Sequence, residues 1–530
     1  MIRYIVGVTA AIVLAATVVH SQQQILVPTR PAGDNTNAAA STAFVQNLAP
    51  LNILAFGADP TNTNDNATAL NNALAALSGT QRCIRFPAGK YKFLSSVSFN
   101  IPAGFFAVCI LGDGQDNTIL TWPSAAGGIT FNYTGLNSSV HIRDVSFTTG
   151  TTAGGNAVTL SNATSNANPA VTAISDFYRV GFRGDDGYSL TDYWTTAVNI
   201  ANVSNIIFDN ISINGASTPN GIGINLVGLP GSSTFGVAYN VAKSTFNNLQ
   251  NGIVYGSFIQ GLTVDQSNFT SNAGTSSGIS VLSSQTGALT QLAVTNSQFN
   301  VPTNAIGLST AVADVMLTNN LCIARANSNC FSLGNVTNFN VVANQLQASS
   351  VTGTNAVVVG GSATLGTITG NAITGFAAGI TIQANATIVA ASGNELASNT
   401  TNVINNSGSV SNGGFDLPSI AFTPSYTCGT ATFTNNSSLF KAEGKLTWAE
   451  VDVTIATIGS CTNLMTFTLP NTSNSGSTII GQESANVTNP RDTVVCVVGG
   501  GTATATCVKQ TAHAFAATDH FIASGTYENR

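Results

Sequence analysis

Acidic, basic and aromatic side chains gather in one stretch of an otherwise nearly uncharged chain. Charged residues make up 7% of the 530, against about 25% in an average globular protein. Between Asn210 and Phe415 only Lys243, Asp265, Asp314, Arg325 and Glu395 are charged. From His141 to Asp192, by contrast, lie Arg143, Asp144, Asp176, Arg179, Arg183, Asp185, Asp186 and Asp192, with Tyr178, Tyr188, Tyr193 and Trp194 among them and Asp209 just beyond. Carboxylates beside arginines and aromatic rings suit a sugar site, because rings stack on sugar faces and paired carboxylates do acid/base work on a glycosidic bond. The candidates for catalysis are therefore Asp185, Asp186, Arg183 and Arg179. Those for substrate contact are Tyr188, Tyr193, Trp194, Asp176 and Asp209. Neighbours on an extended strand point to opposite faces, so Asp185 and Asp186 share a site only in a loop, which the flanking Gly184 and Gly187 favour. The plainer alternatives are an Asp-rich surface turn and, for Asp176 with Arg179 at i and i+3, a surface ion pair worth at most ~1 kcal/mol.

The elements that must position these residues repeat. Short alternating segments end at Phe147, Phe182, Ile213, Phe246, Phe269, Phe299, Cys322, Leu346, Ile373 and Leu396, spaced 23 to 35 residues apart with 23 recurring as the minimum. A period with that floor predicts one turn of a β-solenoid with loops inserted in some turns. The inward residues of each turn then stack on those of the next. Asn296, Asn320, Asn344, Asn371 and Asn394 recur just before the anchors, where stacked Asn tolerates turn backbone angles and hydrogen-bonds along the solenoid. The longer turns come first, between Phe147 and Phe246, and inserted loops commonly form the binding face. Near Val410 the pattern gives way to longer alternating segments such as Leu446–Ile458, Leu464–Pro470, Thr493–Val498 and Thr504–Lys509. These predict an antiparallel β-sandwich-like domain over 411–530.

Composition narrows the partners. A net charge of −6 with 16 Lys and Arg argues against a phosphate-backbone surface, so no nucleic acid is expected. Arg3 followed by the apolar run Ile5–Val19 has signal-peptide grammar over 1–21, with 22–50 as a flexible linker. The expectation is export to the cell surface or medium, with no membrane segment after cleavage. Eight cysteines fit an oxidising compartment. Cys322 with Cys330 and Cys496 with Cys507 are the closest pairs, and Cys83 with Cys109 and Cys428 with Cys461 are further alternatives, alongside buried thiols. With no Cys-x-x-Cys and four histidines, a zinc site is not expected.

Leu51 to Phe93 carries a more specific wording. Phe56-Gly57-Ala58 leads through a polar loop to Leu70, Leu74 and Leu77 at helical spacing, with capping side chains at Asn64 to Asn66, and then to Phe86-Pro-Ala-Gly-Lys-Tyr-Lys-Phe93. This resembles the N-terminal start of the pectate-lyase-like superfamily, which holds polysaccharide lyases, glycoside hydrolases and phage tailspikes. The resemblance implies a right-handed parallel β-helix over 51–410 with its first turn covered by that helix. The family's loop is usually rich in Gly and Asp, whereas this one reads Asp59-Pro-Thr-Asn-Thr-Asn-Asp-Asn66, so an acidic site is not carried over to it. Asp185-Asp186 also resembles the adjacent aspartates of the polygalacturonase group, without that group's downstream His-Gly and Arg-x-Lys segments. Related lyases use Arg or Lys as the base with Ca²⁺ bridging carboxylates, roles that would fall to Arg179 or Arg183 with Asp185, Asp186 and Asp209. Two functions follow as expectations. One is an exported protein that binds and cleaves an acidic polysaccharide. The other is a non-catalytic tailspike-like or adhesin-like shaft that binds a cell-surface glycan and whose C-terminal domain forms a homotrimer or meets a receptor.

Overall fold

The recurring anchors do form a column. The computed structural model describes residues 50–528 apart from internal stretches, the longer ones being 163–172, 229–235, 282–288, 406–419, 471–476, 485–492 and 510–516. The expected leader, nearly all of the linker and the boundary at 410 lie outside the described residues. From Leu51 to Asn405 the chain winds as a right-handed parallel β-solenoid. Two strand columns merge into a 24-stranded parallel sheet, because Ser139–Thr149 and Ser175–Gly184 run through both without a break. The third column is a 12-stranded parallel sheet. Phe147 pairs in register with Phe182, then Ile213, Phe246, Phe269, Phe299, Cys322, Leu346, Ile373 and Leu396. The rings stack, with centroids 5.4 Å apart for Phe147 and Phe182, 4.5 Å for Phe246 and Phe269, and 4.8 Å for Phe269 and Phe299. Each fully buried Phe is worth about 1.5–3 kcal/mol of apolar burial, so the period seen in the sequence is the period of the core.

The corner between the two merged columns explains the recurring Asn, with one correction. Asp144, Arg179, Asn210, Lys243, Gln266, Asn296, Asn319 and Ala343 all have φ between 48° and 58°, and the pairing register stacks them one above another. Gly370 and Gly393 continue the row. A left-handed residue turns the chain, and Asn or Gly adopts it most readily. The next residue points inward. There Ser244, Ser267 and Ser297 give way to Asn320, Asn344, Asn371 and Asn394, whose amides bond up the solenoid at 3.0, 2.9 and 2.9 Å. Asn296 is thus a corner residue, and Ser297 holds its expected ladder place by accepting the Ser267 N–H at 3.1 Å.

The start of the solenoid is closed by the helix Ala67–Ala75, the single α-helix among the described residues. Leu70 and Leu74 are buried and Leu77 packs at the edge of the same core. The cap comes from within the expected stretch 64–66. Asp65 Oδ1 accepts the Ala67 N–H at 3.1 Å, while Asn66 donates to the carbonyls of Asp59, Asn64 and Lys92 and so ties the polar loop to the first turn.

The C-terminal strands form one nine-stranded antiparallel sheet with its own core. Alternation sets its faces: Val494, Cys496 and Val498 are buried while Val497 is exposed. Three disulfides form, Cys322–Cys330, Cys428–Cys461 and Cys496–Cys507. Cys83 and Cys109 are free thiols. No helix among the described residues is long and apolar enough to cross a membrane.

Candidate functional site

The clustered residues divide between two places on the early turns. The first is the outer face of the strands Ser139–Thr149, Ser175–Gly184 and Ile206–Asp209. Register places His141 beside Asp176, and Arg143, Tyr178 and Asp209 in one row. Alternation sends these side chains outward while Ile142, Phe177 and Phe208 fill the core. Arg143, Asp176, Phe177, Tyr178, Ile207 and Asp209 line a shallow groove of about 280 Å³. Its charges are interlocked. Arg143 grips Asp176 through Nε and Nη2, both at 2.8 Å, and His141 Nδ1 lies 2.5 Å from the same carboxylate. Burial pushes the Asp176 carboxyl up, but the His141 and Arg143 contacts outweigh it and hold it down at about 2.

Ser139 Oγ lies 3.1 Å from His141 Nε2, so Ser139, His141 and Asp176 form a hydrogen-bonded relay. Ser139 is only 6% exposed, and Asp176 is already committed to Arg143, so the relay serves to tie neighbouring turns. Arg179 does not pair with Asp176. As a left-handed corner residue it points away and meets Asp144, the corner residue one turn below, at 2.6 Å. Its guanidinium sits 4.7 Å from the centre of the Tyr178 ring, which fixes that ring beside the groove.

The second place is the loop after Gly184. Asp185 and Asp186 lie in a turn closed by a bridge between Gly184 and Gly187, as the two glycines suggest. Their carboxylates go to different partners. Asp185 takes Lys90 Nζ at 2.7 Å and the Thr148 hydroxyl at 3.1 Å. Asp186 accepts the backbone N–H groups of Thr191 and Asp192 at 2.8 and 3.2 Å, building its own turn. Arg183 lies 4.9 Å from the Tyr188 ring centre and donates to the Gly184 carbonyl, and the Tyr188 hydroxyl donates to Asp116 at 2.8 Å. Tyr193 is half-buried. Trp194 is 3% exposed, donates from Nε1 to the Phe147 carbonyl and meets Trp122 edge-on, so its ring belongs to the core.

Four participants escaped the sequence reading. Lys90 and Asp116 come from far upstream, and their role depends on how the intervening turns stack. His141 and Arg143 were visible as charge but carried no pairing signal. Asp192 also gains weight, since burial and then the charges of Asp186 and Asp185 raise its carboxyl above the ordinary range. The set considered for Ca²⁺ does not fit: Asp209 lines the groove, Asp185 is taken by Lys90 and Asp186 by backbone N–H groups. Among the described residues no three His, Cys, Asp or Glu side chains gather to hold a metal ion.

No protein-family model matches the sequence, and no curated protein does. Solved structures do. The tailspike of an Acinetobacter phage superimposes with a TM-score of 0.51 at 10% identity, covering 87% of this chain and 82% of that one. The chain has the right-handed parallel β-solenoid fold of tailspike and pectate-lyase-like proteins. Within that fold, weaker likenesses include the catalytic unit of an α-1,3-glucanase from Streptomyces thermodiastaticus, with a TM-score of 0.40 at 14% identity over 74% of this chain and 71% of that. Another is a surface adhesin of Streptococcus pneumoniae, with a TM-score of 0.41 at 14% identity over 68% and 89%.

Proposed function

We propose that this chain is an exported glycan-binding shaft of the tailspike or adhesin kind, holding sugar in the outer-face groove of its early turns. One observation carries the reading. The carboxylates best placed for acid/base work are already engaged, Asp185 by Lys90, Asp186 by two backbone N–H groups and Asp176 by Arg143 and His141. The groove keeps what recognition needs: the Tyr178 ring braced by Arg179, the Arg143 guanidinium, the Ile207 side chain at 38% exposure and the Asp209 carboxylate. An aromatic face beside charged hydrogen-bonding groups suits a sugar ring bearing hydroxyls or a carboxylate. Copies of the chain associate through the C-terminal sheet, which leaves Leu464, Val497, Val508 and Ile522 between 37% and 52% exposed.

The test is a panel of neutral and uronate-containing oligosaccharides, scored for binding and for new reducing or unsaturated ends. Binding without cleavage, weakened at least tenfold by Tyr178→Ala, supports the shaft. A second reading, a carbohydrate-active enzyme, draws on Asp192, whose carboxyl burial and the nearby charges of Asp186 and Asp185 raise above the ordinary value, the direction a general acid needs. Cleavage by the wild type that disappears in Asp192→Asn and in Asp185→Ala would replace the first reading with the second.

A further inference from the structure

Cys83 and Cys109 stand apart from the other six cysteines. Those six are joined in three disulfides, while this pair is reduced. The two thiols occupy paired positions on neighbouring parallel turns, and the row continues in register to His141 and then Asp176. Adjacent strands lie about 4.8 Å apart, within the Cα separation that a disulfide spans. The ladder nevertheless holds the Cβ atoms near that spacing, wider than the ~3.8 Å of a relaxed bridge. Closing the bond must therefore draw the two turns together, and a bond closed against such resistance opens readily. Cys83 is the more accessible partner, being half-buried where Cys109 is buried.

We propose that Cys83 and Cys109 are a reversible dithiol that reacts with small disulfides of the glutathione type, Cys83 attacking and Cys109 resolving. The Cys83 thiolate attacks one sulfur of the disulfide, forming a mixed disulfide and releasing one thiolate. Cys109 gives up its proton to that thiolate and attacks the Cys83 sulfur, closing the cross-turn bond and releasing a second thiolate, which takes up from water the proton that Cys83 lost on ionising. One protein dithiol and one small disulfide become one protein disulfide and two small thiols. The electrostatics support this order of attack. A hydrogen bond from Cys109 outweighs burial and, with the nearby charges of His141 and Arg143, brings the Cys83 thiol below the ordinary thiol range. The hydrogen bond to Cys83 and burial push the Cys109 thiol up, with Asp176 adding to the effect and Arg143 opposing it. The thiol of lower pKa is the attacking one near neutral pH. The site is independent of whether the groove binds sugar, although closure would alter the thiol row that borders it.

The full chain is equilibrated in glutathione buffers from fully reduced to fully oxidised, alkylated and mapped by mass spectrometry. The expected result is a Cys83–Cys109 bond that closes and reopens across the series while the other three bridges persist. Cys109→Ser should trap glutathione on Cys83, and Cys83→Ser should slow modification of Cys109 at least tenfold. In the unmutated chain, which needs no substitution to fold, the rate of reaction with oxidised glutathione should level off at a lower pH than that of an ordinary exposed cysteine. Thiols that stay reduced in fully oxidised buffer, a bond that reduced glutathione cannot open in the folded chain, or first modification at Cys109 would each overturn the proposal.

Discussion

Lys90 Nζ lies 2.7 Å from the Asp185 carboxylate, joining residues 95 positions apart in the chain. The turn after Phe86 lies early in the winding, and the Gly-Asp-Asp-Gly loop sits on a later turn, yet parallel stacking brings them together. This contact makes Asp185 a fixed partner in an ion pair. Both side chains are partly exposed, at 32% and 25%, so the pair should be worth more than an open surface bridge and less than a buried one. Lys90→Met is expected to cost about 1–2 kcal/mol of stability in urea denaturation. Asp185→Asn should cost a similar amount, and the double variant less than the sum of the two. Strict additivity would show that the two side chains do not interact.

Acid should loosen the first-face cluster in a defined window. Asp176 sits at about 2 in the folded chain, below its ordinary value of 3.8. A depressed carboxyl contributes stability that is fully present above the unfolded value and is lost as pH falls through the folded one. The contribution, roughly 1–2 kcal/mol after allowing for its partial exposure, should therefore fade between about pH 4 and pH 2. Thermal melts of wild type and Asp176→Asn should differ clearly at pH 6 and converge toward pH 2. Equal separation at both values would remove Arg143 and His141 as the cause.

The two kinds of recurring Asn should respond very differently to truncation. Asn344 is 1% exposed, donates to the Leu317 carbonyl and to Asn371, and accepts from the backbone and side chain of Asn320. Asn344→Ala strands several buried groups at once and is expected to cost about 2–4 kcal/mol. Asn296 is an exposed corner residue that bonds to Asp265, so Asn296→Ala should cost about 1 kcal/mol or less, mainly through its left-handed backbone. Comparable denaturation midpoints for the two variants would contradict the ladder.

Association through the C-terminal sheet is testable without disturbing its core. Val497 and Val508 are 52% and 37% exposed, on strands whose alternate residues are buried. Val497→Lys with Val508→Lys should leave the circular dichroism unchanged and shift sedimentation to the monomer. A wild type that already sediments as a monomer would defeat this part of the reading.

The sequence by itself determined the winding. The anchors from Phe147 to Leu396 repeat because each turn must bury one large residue against the last, and that demand is local and periodic. Leu70 and Leu74 likewise announced the cap, since three- and four-residue spacing defines a helix face. The alternation from Leu446 onward announced a change of sheet type. The division of the candidate site was not legible. Residues from Arg143 to Asp209 look like one cluster along the chain, but a left-handed corner at Arg179 separates Asp176 and Tyr178 from Asp185 and Asp186. Which carboxylate meets which cation follows from how the turns stack, and the inserted loops vary in length, so the register of Asp176 with His141 and the side-chain contact of Asp185 with Lys90 exist only once the turns are stacked. The same holds for Cys83 and Cys109: the sequence offers them as one pairing among several, and the parallel ladder decides that they are neighbours.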